Sequence, residues 1–356
     1  MAKYTVTWMP GDGVGKEVIT STKLVLEHLD FDAEYIEAEI GWSCWEKYRD
    51  PLPPKTLEAL SNCDCAMLGA ITSRPFVKGY KSPIIKIRQH FDLYMGVRRY
   101  KTFEGNPVNY KEGLDFVIFR ENTEGLYKGI EFEGIPGVLK QLAEKDDRYK
   151  SLKELSDDAA ISLRVITPKA SSRIIEEAFK YARKHNRNKV TCIHKANVLR
   201  VTDGLFLKVF KDISSRYPEI TANEQNVDAA AMWLIKDPAE YDVMVTTNLF
   251  GDILSDEAAS LVGGLGFVPS ANIGDSLAVF EPAHGSVPKY EGKGIINPIA
   301  SILAAQMMLE WLGENEKAKR IEAGVSAVLA EGKVRTRDMG GTASTMEMTQ
   351  AIAHNL

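Results

Sequence analysis

Short runs of β-branched and apolar residues alternate along this chain with longer stretches of helical periodicity, and no other feature narrows the fold as much. Residues 5–9 (TVTWM) are followed by 17–29 (EVITSTKLVLEHL) and then by 65–70 (CAMLGA). A strand that returns parallel to its neighbour needs a long crossover, usually a helix, so the alternation predicts an α/β protein with mostly parallel strands. Further strands are expected at 116–119 (FVIF), 189–194 (KVTCIH) and 243–247 (VMVTT), each followed by turn or polar residues. Ligands in such sheets gather at the carboxyl ends of the strands. The stretch from Gly129 to about Ala160 breaks the pattern: it is polar and dense in charge, and reads as an arm that is either solvated or used in subunit contact. Near the C-terminus PIASILAAQMMLEWLGE reads as an amphipathic helix opened by Pro298.

At 356 residues the chain can build one large core or two medium ones with a cleft between them. Its net charge of -5 argues against nucleic acid or an anionic membrane as the main partner. Cys44, Cys63, Cys65 and Cys192 match neither a disulfide framework nor the paired spacing of a structural zinc site, so free thiols are expected. The opening MAKYTVTWMPGDG has no basic-then-apolar leader, and no apolar run approaches a membrane span. A cytoplasmic protein is the expectation.

Several segments carry side chains suited to chemistry. GDGVGKE (11–17) lies between the first strand and first helix, where backbone N–H groups meet an anion or simply make a tight turn; its spacing fits neither the dinucleotide fingerprint nor the P-loop. Arg88, Arg98 and Arg120 are either scattered surface cations or a clamp for a di- or tricarboxylate, since guanidinium groups bind carboxylates bidentately. Tyr127 follows Arg120 on a polar loop and is a candidate proton donor, or a packing residue. Lys195, at the end of KVTCIH, is a candidate base if partly desolvated, or an exposed lysine. Asp228 stands at an expected helix start, where capping alone would explain it. Asp252 and Asp256, four apart in TTNLFGDILSDEAASLVGGLG, share one helical face. Two carboxylates so placed repel unless a cation lies between them, and oxygen-only ligation suits Mg²⁺ or Mn²⁺. A dipole-favoured acid beside a solvated one is the alternative. In EPAHGSVPKYEGKGIINP, His284 and Gly285 precede Lys289 and Tyr290, a pair able to hold an extra phosphate on an adenosine ribose.

Taken together, GDGVGKE, SPIIKIR, FRENTEGLY, HKANVL, NVDAAAMWL, NLFGDILSDEAASLVGGLG and EPAHGSVPKYEGKGIINP resemble the β-decarboxylating dehydrogenases of isocitrate, homoisocitrate and 3-isopropylmalate. The resemblance runs in order over nearly the whole chain. It implies a two-lobed α/β fold of isocitrate/isopropylmalate dehydrogenase type, with mixed sheets flanked by helices, unlike an ordinary Rossmann domain. Residues 1–93 plus 263–356 would form a large cofactor-binding domain. Residues 94–262 would form a small substrate and dimerisation domain with an arm at about 129–162.

The same resemblance implies a homodimer with shared active sites. Asp252 and Asp256 would hold the metal with Asp228 of the other subunit, Lys195 of the partner would take the hydroxyl proton, and Tyr127 would protonate the decarboxylated product. Ser82, Ile84, Arg88, Arg98 and Arg120 would contact substrate. His284, Gly285, Lys289, Tyr290, Asn297, Arg337 and Asp338 would contact the cofactor. Ser82 and the Lys289–Tyr290 pair resemble NADP-using isocitrate enzymes. Ile84, where an asparagine is usual, resembles the isopropylmalate enzymes, GYKSPI the homoisocitrate enzymes, and TRDMGGTAST the NAD-using relatives. Arg99 replaces a usual proline. Isocitrate with NADP is the expectation, homoisocitrate or 3-isopropylmalate with NAD the alternative. A non-catalytic regulatory subunit is the reading from another class, and the presence of Tyr127, Lys195, Asp228, Asp252 and Asp256 speaks against it.

Overall fold

The computed structural model describes residues 2–74, 77–156 and 158–356. Its strands are β1 (Tyr4–Gly11), β2 (Ala33–Glu37), β3 (Cys65–Ala70), β4 (Met95–Lys101), β5 (Asp115–Glu121), β6 (Glu131–Glu133), β7 (Ala160–Ser162), β8 (Lys189–His194), β9 (Thr221–Asn226), β10 (Val243–Thr246), β11 (Pro269–Ile273) and β12 (Ala278–Pro282). Ten of them form one sheet in the order β2-β1-β3-β12-β11-β4-β5-β10-β8-β9, while β6 and β7 pair separately. The sheet is parallel at both flanks, from β2 to β12 and from β5 to β9. At the centre β12, β11, β4 and β5 are antiparallel to one another in turn. The expected α/β class and mixed sheet are present, but the expectation of mostly parallel strands missed this centre. β4 follows the helix Pro83–His90 and β11 the helix Asn248–Leu261, so alternation does not tell their direction, and β12 returns from β11 by a short turn.

The segment 65–70 is a strand as expected, and all six of its residues are buried because helices cover both faces. The stretch opened by Pro298 departs from its expectation. The helix Ile299–Trp311 has eleven of its thirteen residues buried, so it is a core helix and has no solvent face along most of its length. It rests on β11 and β12 and on the helices Gly15–His28 and Asn315–Glu331. Each large aliphatic side chain buried there contributes roughly 1.5–3 kcal/mol.

GDGVGKE makes a turn stabilised by the chain's own groups. Asp12 accepts backbone N–H bonds from Trp42 (2.7 Å), Ser43 (3.1 Å) and Thr72 (2.8 Å), and Val14 N–H donates to Ser286 O at 2.9 Å. Gly13 has φ +53, and a Cβ there would lie 2.2 Å from Ser286 O, so this close crossing requires glycine. The polar stretch after Gly129 contains the β6–β7 pair and the helix Gly137–Lys145. All four cysteines are free thiols. Among the described residues no helix is long and apolar enough to cross a membrane.

Candidate active site

Strand register brings two of the predicted arginines together. Gly96 on β4 faces Arg120 on β5, and Arg98 lies two residues along the same strand, so Arg98 and Arg120 project to one side of the sheet. Arg88 joins them from the helix Pro83–His90. The three guanidiniums line a cavity of about 350 Å³ with Asp252, Tyr127, Ser82, Ile84, Glu281, His284 and Gly285. The three arginines are therefore clustered on one cavity and not scattered over the surface.

Each guanidinium is held by neighbours that fix its direction. Arg88 Nε donates to Asn272 Oδ1 at 2.8 Å, and Asn272 in turn donates to Glu281 at 2.7 Å. Burial, and then the charge of Arg120, draws the Arg88 pKa down to about 10, which leaves it cationic at neutral pH. Arg120 Nε and Nη2 both donate to Asn248 Oδ1, at 3.0 and 2.7 Å. Its Nη1 pairs with Asp252. Arg98 Nη1 donates to Asp256 at 2.8 Å, and its Nη2 lies 3.9 Å from Asp252.

Asp252 and Asp256 share one face of the helix Asn248–Leu261, and guanidinium groups lie against both. Burial acts to raise the Asp252 pKa, but Arg120, the Tyr127 hydrogen bond and Arg98 outweigh it, so the carboxyl sits below the ordinary range. The pair offers hard oxygen donors, suited to Mg²⁺ or Mn²⁺. Among the described residues no cluster of three or more His, Cys, Asp or Glu side chains forms a complete cation site within the chain.

Tyr127 sits in the short turn Leu126–Lys128, where its hydroxyl donates to Asp252 and the Arg120 guanidinium lies 4.9 Å from its ring centre. Burial first, and then the bond to Asp252, raises its pKa against the opposing pull of Arg120. The phenol thus keeps its proton in a polar cavity.

Lys195 and Asp228 lie elsewhere. Lys195 follows β8, and its ammonium pairs with Asp228, whose side chain is 67% exposed. Neither lines the cavity. Asn226 holds the N-cap position of the helix Val227–Lys236, without a side-chain cap bond, and Asp228 falls in the first turn, so Asp228 is not the N-cap residue that its sequence position suggested.

A second cavity, of about 380 Å³, is lined by His284, Tyr290, Asn297, Arg337, Asp338, Gly266, Val287, Ile295 and Ile296. His284 borders both cavities, and its Nε2 is buried with no hydrogen-bond partner. A buried imidazole nitrogen without a partner, on a side chain that borders both cavities, suits a ligand group. Asn297 donates to Asp338 at 3.0 Å, which sets the side chains of one wall. Lys289 does not line this cavity, though its ammonium stacks 4.8 Å from the centre of the Tyr290 ring. Gly285 belongs to the first cavity and not to the second.

Sequence reasoning missed Asn248, Asn272 and Glu281, the groups that orient Arg120 and Arg88. They lie 128 and 184 positions from the arginines they bind in the case of the two asparagines, and only the strand order joins them. Arg99, on the opposite sheet face from Arg98, does have a partner: Glu310 accepts from Nη1 at 2.9 Å and from Nη2 at 2.5 Å.

Residues 5–352 match the family model described as isocitrate/isopropylmalate dehydrogenase. The chain is 48% identical over 353 residues to a homoisocitrate dehydrogenase of Methanocaldococcus jannaschii, covering 96% of this chain and 94% of that protein. It is 44% identical over 355 residues to an isocitrate/homoisocitrate dehydrogenase of Thermus thermophilus, covering 99% and 98%. Among solved structures, an isocitrate dehydrogenase of Methylococcus capsulatus superposes with TM-score 0.89 at 40% identity, over 99% of each chain. The chain belongs to the isocitrate/isopropylmalate dehydrogenase family and is a decarboxylating dehydrogenase of 2-hydroxy acids.

Proposed function

We propose that this enzyme oxidises isocitrate and releases CO₂ to give 2-oxoglutarate, with NADP as hydride acceptor. The observation that carries the reading is the convergence of Arg88, Arg98 and Arg120 on one cavity beside Asp252. Three fixed guanidiniums match a substrate with several carboxylates and bind it in one orientation. The metal would be held by Asp252 and Asp256, completed by Asp228 of a second subunit in a homodimer. When bound, a divalent ion supplies Lewis-acid stabilisation of charge developing on the substrate oxygen. In this reading Lys195 of the second subunit accepts the proton of the substrate hydroxyl as hydride leaves the adjacent carbon. Loss of CO₂ leaves a carbanion, and the Tyr127 hydroxyl holds the proton that it takes.

NADP is supported by the charge around the second cavity. Arg337 lines it beside Asp338, whose carboxylate is engaged by Asn297, and Lys289 lies against Tyr290 at its edge, so a guanidinium, an ammonium and a phenol are available to a ribose phosphate. His284, shared by both cavities, would bring the nicotinamide end to the substrate.

A second reading, homoisocitrate with NAD, is favoured by one observation: Ile84 and Ile85 both line the substrate cavity, an apolar wall against which one more methylene can pack. One methylene in a hydrophobic pocket is worth about 1–3 kcal/mol. Steady-state assays of isocitrate, homoisocitrate and 3-isopropylmalate with NADP and with NAD separate the readings. The expected result is the highest kcat/KM for isocitrate with NADP; a higher value for either other acid overturns the substrate assignment.

A further inference from the structure

Arg164, two residues beyond β7, ties together elements that are far apart in sequence. Its Nη1 pairs with the carboxylate of Asp203 and donates to Thr202 Oγ1 at 2.7 Å. Its Nη2 donates to Thr247 Oγ1 at 3.0 Å, and its guanidinium lies 5.2 Å from the centre of the Phe250 ring. Asp203 is wholly buried, and its second oxygen accepts the backbone N–H of Lys195 at 2.7 Å. One carboxylate therefore holds Arg164 with one oxygen and the turn that begins at Lys195 with the other.

We propose that Arg164 is a positioning residue for Lys195, acting through Asp203. The inference rests on the proposed role of Lys195 as proton acceptor. Lys195 starts the turn that leads into the helix Thr202–Ser214, and Leu199 N–H also returns to Lys195 O at 2.8 Å, so the direction of its side chain follows from the placement of this turn. Asp203 fixes the turn from below, and Arg164 neutralises the buried charge that lets Asp203 do so. The next residues along the chain extend the anchor. Val165 O accepts from Gly125 N at 2.8 Å, just before the turn that carries Tyr127. Thr167 Oγ1 donates to Glu124 Oε2 at 2.9 Å, and Glu124 O accepts from Asn248 at 3.2 Å. The bonds toward Tyr127 and Glu124 are thus made by Val165 and Thr167, while the Arg164 side chain itself bonds Asp203, Thr202 and Thr247.

A kinetic cycle on the full-length enzyme tests this. Arg164→Met is expected to lower kcat by about 10- to 100-fold, the size expected when a reacting group shifts by about 1 Å. KM and the NADPH dissociation constant should stay within about 2-fold of the parent. Arg164→Lys, which keeps the charge opposite Asp203, should recover most of the loss. In a Lys195→Met background the same Arg164→Met change should cost nothing further, because residues that act as a unit are non-additive. An equal loss in both backgrounds, or an Arg164→Lys variant no better than Arg164→Met, overturns the proposal. Should thermal melting show Arg164→Met unfolded, Asp203→Asn is placed in the parent and in the Lys195→Met background instead: a loss confined to the parent supports the proposal, and an equal loss in both overturns it. The two possible failures are distinguishable. If Lys195→Met alone keeps parental kcat, the reading of Lys195 falls and this proposal with it; if that variant collapses while Arg164→Met does not, only the positioning role falls.

Discussion

At Gly251 the aspartate helix passes so close to Arg120 that an added Cβ would lie 2.7 Å from its Cγ and 3.1 Å from Thr246 Cγ2. Gly251→Ala is therefore expected to push Arg120 off Asn248 and out of the cavity, lowering kcat/KM at least 10-fold, while overpacking costs about 1–3 kcal/mol in stability. Kinetics beside thermal melting check this, and a parental kcat/KM would show that Arg120 has room to adapt. Asp252→Asn removes the cavity's ionised donor and leaves Arg120 facing a neutral amide. Its expected effect is a fall in kcat of several orders of magnitude, since charge stabilisation by a bound metal is worth several kcal/mol; near-parental turnover at saturating Mg²⁺ would remove Asp252 from the role. Lys289→Asp should move the NADP to NAD preference toward NAD, and an unchanged ratio would free Lys289 from reading the phosphate.

Among the elements, the helix Ile299–Trp311 and strand β4 are joined by the Arg99–Glu310 pair. The pair is about three-quarters buried on both sides, so removing one partner strands a charge in a poorly solvated place. Glu310→Gln is expected to destabilise by about 1–3 kcal/mol, whereas Arg99→Met with Glu310→Leu should come much nearer the parent. Denaturant titration of both variants decides it; equal losses would mean that the ion pair itself, and not the stranded charge, sets the cost. In the same helix Ile302→Ala should cost about 2–5 kcal/mol, because Ile302 is fully buried and its neighbours cannot close the void.

For the molecule as a whole, Arg98 and Arg120 offset the charges of Asp252 and Asp256, and the fold is expected to persist when metal is removed. Chelation is expected to abolish turnover and leave the circular dichroism spectrum and melting temperature close to the parent's; loss of the melting transition on chelation would show that metal is structural. Stability should also fall on mild acidification. Burial holds His185, His194 and His284 below the usual histidine pKa, with Arg99 adding to the effect at His185. Below about pH 6.5 the unfolded chain takes up protons that the folded chain refuses, so stability drops as pH falls through that value. His185→Gln should make this drop shallower in denaturant titrations at pH 7.5 and 5.5, and an unchanged slope would exclude His185 as a contributor.

Much of this was legible along the chain because it is local. The i, i+4 spacing alone puts Asp252 and Asp256 on one helical face, the apolar run 65–70 alone makes a strand, and the ordered motifs alone place the chain in its family. What the tertiary structure decided is non-local. The antiparallel centre of the sheet arises from pairings between distant segments, and it is this centre that sets Arg98 beside Arg120 and brings Asn272 onto Arg88. The helix Ile299–Trp311, by contrast, is apolar all round in its sequence, IASILAAQMMLEW, so its core position was legible there and the amphipathic expectation missed it. Residue spacing determines which side chains share a face; only strand order, through hydrogen-bonded register, determines which faces meet.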